Sequence, residues 1–132
     1  MSVLVDSSAW VEYLRRTGSA EHNRVRSLIE SSEDATTDPV LLEVVGGGRS
    51  VAMTRALSRL LARAKYLPQR PHEDVLSAVD IYQRCRVAGE TIRSLNDCLV
   101  AAIAIRNSVP VLHRDRDFEV MARHTPLQVL AP

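Results

Sequence analysis

From Cys98 to Ile105 the chain runs through eight apolar residues without a break, directly after Ser94-Leu95-Asn96-Asp97. Alanine and leucine favour helix, and no face of such a helix is left for water. The segment must therefore lie inside the domain, and the other elements have to be arranged around it. Asn96 reads as the N-cap, which leaves Asp97 in the first turn. A carboxylate there can complement the helix dipole, an effect worth ~0.3–1 kcal/mol. The same carboxylate, fixed at the mouth of a buried helix, can instead serve a site.

With 132 residues, the sequence is expected to form one domain over 1–132, long enough to bury a core without staples. Its formal net charge of +1 gives no global field that would draw it to nucleic acid or membrane, so any basic surface must be local. Lys65 is the only lysine, and the remaining cations are arginines, which suit forked contacts to phosphate. Cys85 and Cys98 have neither metal-ligand spacing nor a disulfide framework. The apolar run is too short to span a bilayer, and no secretory signal precedes the first strand. These features predict a soluble protein of the reducing cytoplasm.

Val3-Leu4-Val5 stops at Asp6 and reads as a buried parallel strand, followed by a helix from Ser7-Ser8 through Trp10, Val11 and Leu14. Gly18-Ser19 breaks that helix, and a second is expected over about 19–31. Ala35-Thr36-Thr37 predicts another strand. Asp38 as cap and Pro39 at the first position then open a helix, in which Glu43 stands alone among Val40, Leu41, Leu42, Val44 and Val45.

Gly46-Gly47-Gly48 ends that helix. The next, over about 50–64, stacks Arg55, Arg59 and Arg63 along one face, which is either solvated or a track for an acidic partner. Lys65-Tyr66-Leu67 predicts an edge strand. A long helix over about 72–88 is expected to turn Val75, Ala78, Val79, Ile81 and Tyr82 inward, with His72 at its start and Gly89 at its stop. After the central helix, Val109–Leu112 and 127–130 read as further strands, with a short helix around Phe118 between them. The alternation of strands and helices predicts an α/β three-layer domain on a parallel sheet.

Acids punctuate these apolar segments at Asp6, Glu43, Asp97 and the Asp115/Asp117 pair. Strand ends of an open parallel sheet share one rim, so Asp6 and Asp115 are expected together. Two carboxylates ~5 Å apart repel by roughly 3 kcal/mol at an effective dielectric of ~20. Four acids make several such pairs, which rivals a domain's whole stability of ~5–15 kcal/mol. Convergence therefore demands protonation or a divalent cation. An oxygen-only donor set selects Mg²⁺ or Mn²⁺ over zinc, and such ions activate water against phosphate esters.

Four stretches, in this order and spacing, carry a resemblance. They are Val5-Asp6-Ser7-Ser8-Ala9-Trp10, the helix from Pro39 to Glu43, Asn96-Asp97 before the apolar helix, and Asp115-Arg116-Asp117-Phe118. Together they resemble the PIN-domain ribonucleases, above all the VapC toxins of bacterial toxin–antitoxin pairs, over essentially the whole chain. The resemblance implies a PIN-like α/β/α fold with a central parallel sheet of four or five strands. It implies metal ligation by Asp6, Glu43, Asp97 and Asp115, with Asp117 bearing on a further metal position and Ser8 beside the first acid. It implies Mg²⁺- or Mn²⁺-dependent endonucleolytic cleavage of RNA, which inhibits translation and growth. It also implies a VapB-type antitoxin partner, a homodimer, and a heterotetramer or larger assembly with the antitoxin. His113 stands where such toxins commonly carry Thr, Ser or Asn, and it could reach a phosphate or a metal-bound water. The triple glycine departs from the usual helix continuation and bears on how firmly Glu43 is held.

Other α/β proteins with strand-edge acids fit less well. A phosphoacceptor receiver domain wants paired acids at its first strand and a lysine at its last. A dehalogenase-like phosphatase wants a second Asp where Ser8 stands. A catalytically inactive PIN-fold binding module for RNA or protein remains the alternative reading.

Overall fold

A computed structural model describes all residues, Met1–Pro132. Its elements are β1 (Val3–Val5), α1 (Ser7–Leu14), α2 (Ala20–Glu30), β2 (Asp34–Thr37), α3 (Asp38–Gly46) and α4 (Val51–Ala62). There follow β3 (Lys65–Leu67), α5 (Glu73–Val87), α6 (Leu95–Asn107), β4 (Val111–Leu112) and α7 (Arg116–His124). The four strands are all parallel and lie in the order β3-β2-β1-β4, flanked by the seven helices. In β1, Val3, Leu4 and Val5 are at most 1% exposed, as expected of a strand covered on both faces.

The chain moves outward from β1 to β2 to β3, then returns to place β4 on the other side of β1. The reversal opens a crevice between the C-terminal ends of β1 and β4, which pair Val5 with Leu112. Open α/β sheets bind their ligands in such crevices. Asp6 follows β1 directly, and the 113–115 turn follows β4.

The apolar run becomes the interior of α6, where Asp97, Cys98 and Val100 to Ala104 are buried. Most of these apolar residues join the main core with Trp10, Phe118 and Met121, while Ile103 packs with Ala35 and Leu67 in a second cluster. One helix therefore serves two apolar clusters, which is why it has no polar face. Its far end is pinned by Arg106, which forks onto Asp74 at 2.8 and 2.7 Å and donates to the Pro68 carbonyl at 2.9 Å. The Arg106 hydrogen bonds hold the Asp74 carboxyl below its usual range.

Four expectations need correction. The stretch 127–130 does not form a fifth strand: it contributes a single parallel bridge, Val111 to Val129. Asn96 is not a cap, because α6 starts at Leu95 after Ser94. Asp38 lies inside α3 and Thr37 takes the cap position; the Asp38 carboxylate instead accepts from the Tyr66 hydroxyl at 2.7 Å and the Gln69 amide at 2.8 Å. The buried face of α5 is Asp74, Ala78, Ile81 and Cys85, leaving Val75 and Val79 exposed. Apolar residues extend around most of α5, so spacing alone could not choose its face.

Candidate metal centre

Asp6 ends β1 in extended conformation and caps α1. Its Oδ2 accepts from the Ser8 amide at 3.0 Å and the Ser8 hydroxyl at 2.6 Å. The Ser8 oxygen in turn accepts from the Arg114 amide at 2.9 Å, joining α1 to the turn after β4. The other Asp6 oxygen, Oδ1, is buried without a hydrogen-bond partner. Burial raises the Asp6 pKa; the Ser8 bonds oppose that shift, and the charge of Asp115 adds to it.

Asp97 stands at the third position of α6 and is 8% exposed. Burial first, then the charges of Asp6, Asp115, Glu43 and Asp117, push its pKa up to about 7. Asp97 thus feels the charge of the other four acids expected from the sequence. The tightest group is Asp97, Asp115 and Asp117, each offering an oxygen within 4.8 Å of the others. Asp6 and Glu43 lie outside that closest trio.

Asp115 caps α7, its Oδ1 accepting from the Asp117 amide at 3.0 Å. The two-residue spacing thus arises from a cap and the first turn it closes. Glu43 projects from the exposed side of α3, and its Oε1 accepts from Asn96 Nδ2 at 2.6 Å.

His113 is placed under the loop. Its Nδ1 accepts from the Asp115 amide at 3.1 Å, its Nε2 lies 3.1 Å from Glu119 Oε1, and its ring packs on Phe118 at 5.2 Å. Both ring nitrogens are engaged, so His113 shapes the turn that carries Asp115.

Sequence reasoning missed two residues at this site. Asn96 was read as a cap and is the side chain that steadies Glu43. Arg93 was not singled out, yet it donates to both Asp115 and Asp117. No local spacing signals either role, since the partners are 22 to 53 residues away.

Two features fit a hard divalent cation: an unpartnered buried carboxylate oxygen, and a buried acid forced up by four others. The converging acids offer oxygen donors alone, the set that suits Mg²⁺ or Mn²⁺.

Residues 3–124 match the family described as PIN domain. The chain is 43% identical over 128 residues to ribonuclease VapC11 of Mycobacterium tuberculosis, covering 96% of each chain. A VapC ribonuclease of Mycobacterium bovis matches equally well, at 43% over 128 residues and 96% of each chain. The fold is similar to the crystal structure of VapBC2 from Rickettsia felis bound to a promoter DNA fragment, with TM-score 0.75, 16% identity and 98% of each chain covered. It is also similar to Mycobacterium tuberculosis VapC20, a sarcin–ricin loop cleaving toxin, with TM-score 0.66 and 19% identity over 96% of this chain and 98% of that one. At such identities the structural likeness is one of fold.

Proposed function

We propose, from the premise that this chain belongs to the PIN-domain family and its VapC ribonucleases, that it is a metal-dependent endoribonuclease and the toxin of a toxin–antitoxin pair. The observation that carries the reading is the Asp97 carboxyl, buried at the crevice and pushed to about 7 by burial and the charges of Asp6, Asp115, Glu43 and Asp117. An arrangement that costs the metal-free protein stability is expected where a cation, or a reaction that uses one, compensates it.

In this reading Asp6, Glu43, Asp97 and Asp115 hold the ion, Asp117 beside them bears on the same acidic cup, and the ion is Mg²⁺ or Mn²⁺. When bound, the cation supplies Lewis-acid polarisation of a phosphoryl oxygen and activation of water. The protein's own residues provide the geometry. Ser8 fixes one Asp6 oxygen and leaves the other free. Asn96 restrains Glu43, and His113 with the Asp117 amide sets the turn that presents Asp115. The core behind α6 keeps Asp97 from withdrawing.

The substrate is RNA, and the partner is a VapB-type antitoxin, a reading supported by the VapBC complexes among the proteins of similar fold. A homodimer, and a heterotetramer or larger assembly with the antitoxin, are part of the same proposal. No helix is long and apolar enough to cross a membrane; action on RNA in the cytoplasm is part of the same proposal.

The test is direct. Purified protein incubated with RNA and Mn²⁺ should cut it, EDTA should stop the reaction, and Asp97→Asn should lower the rate at least about 100-fold, more than loss of an outer-shell group costs. No cleavage, or cleavage that survives both EDTA and Asp97→Asn, overturns the metal-dependent nuclease reading.

A further inference from the structure

Arg93 lies in the segment between α5 and α6, and its side chain is 69% exposed, so the core does not fix it. It is fixed by acids. Its Nε donates to Asp117 Oδ2 at 3.2 Å, its Nη2 donates to Asp115 Oδ1 at 3.0 Å, and its backbone amide adds a bond to Asp117 Oδ2 at 3.1 Å. One residue thus binds both acids of the Asp115/Asp117 flank, from side chain and main chain at once.

We propose that Arg93 stands in for a second cation at this site, so that the acidic cup takes up one divalent ion rather than two. The proposal rests on the reading that these acids bind a divalent ion.

Two-metal sites place their ions ~3.5–4 Å apart and share carboxylates between them. Here one oxygen of each shared acid is already taken. Asp115 Oδ1 accepts from Arg93 and from the Asp117 amide, and Asp117 Oδ2 accepts twice from Arg93. The unpartnered Asp6 Oδ1, the Asp97 carboxylate and the second oxygens of Asp115 and Asp117 are left for an ion. A guanidinium does not lose its proton in proteins, so this charge stays in place whatever the metal supply. It also lowers the repulsion on this flank while leaving the Asp6–Asp97 side acidic.

The experiment counts ions. Metal-free full-length protein is titrated with Mn²⁺, and free Mn²⁺ is read by electron paramagnetic resonance beside calorimetry. Wild type should bind one Mn²⁺ per chain, Arg93→Gln two, and Arg93→Lys one, because an ammonium keeps the charge. A purely structural arginine would not raise the count when removed. Two ions in wild type, or a single ion in Arg93→Gln, overturns the assignment of Arg93 and leaves the metal site standing. No Mn²⁺ uptake by wild type overturns the metal reading and this proposal with it. Should Arg93→Gln fail to fold, Arg93→Ala takes its place and is read the same way: two ions support the proposal, and one overturns it.

Discussion

At Asp97 two electrostatic effects oppose each other. A carboxylate in the first turn of α6 gains ~0.3–1 kcal/mol from the helix dipole. Against that stand burial and four neighbouring acids, of which a single pair at ~5 Å costs roughly 3 kcal/mol at an effective dielectric of ~20. Burial, with repulsion added to it, outweighs the dipole, and the folded-state pKa rises from 3.8 to about 7. Between those values the folded chain binds the proton more tightly than the unfolded chain. The Asp97 contribution to stability is therefore fully present below pH ~4 and is lost as the pH rises through about 7. In EDTA, the melting temperature should fall between pH 5 and pH 8, and saturating Mn²⁺ should remove that fall. At pH 8, metal-free Asp97→Asn should melt at least ~3 °C above wild type, since repulsion outweighs the lost dipole term. A variant that melts lower in EDTA would show that the acids do not repel. The five acids were legible in the sequence because they stand at the edges of elements or beside apolar runs. Arg93 and Asn96 were not, because their meaning lies in partners distant along the chain.

Among the elements, the corner between α3 and α4 shows how similar residues do different work. Three glycines in a row suggest a flexible break below Glu43, yet the corner is closed by the Gly47 amide, which donates to the Glu43 and Val44 carbonyls. Gly48 is required for close approach: an added Cβ would lie 2.5 Å from Thr54 Oγ1 and 3.0 Å from the Thr54 backbone. Gly46 ends α3 with open space around it. Gly48→Ala should therefore destabilise the protein by ~1–3 kcal/mol. Gly46→Ala should be neutral or stabilise it by up to ~1 kcal/mol. Urea unfolding distinguishes the two, and equal losses would count against a packed corner. Helix starts and stops were largely legible, since caps and glycines act locally. The face α5 buries was not: the Asp74–Arg106 pair, 32 residues apart, helps set its rotation.

Across the molecule, charge is sorted. Acids gather at the crevice beside β1, while Arg55 and Arg59 on the exposed side of α4 and Arg63 at its C-cap enter none of the ion pairs. Cations without partners are available to a polyanion, which a net charge of +1 conceals. Changing all three to Gln should weaken binding of single-stranded RNA and reduce the slope of log K against log salt by roughly 2, at ~0.7 per phosphate contact. An unchanged slope would assign the stripe to solvent. The sequence by itself determined the α/β class, the buried α6 and the identity of the acids, because period, caps and apolar runs act over a few residues. Only the tertiary structure decided which acids meet most closely, that β1 and β4 form the crevice, that 127–130 stays a single bridge, and that an arginine holds one flank. Those outcomes depend on strand order and on side chains brought together from distant segments, and no local pattern encodes such distances.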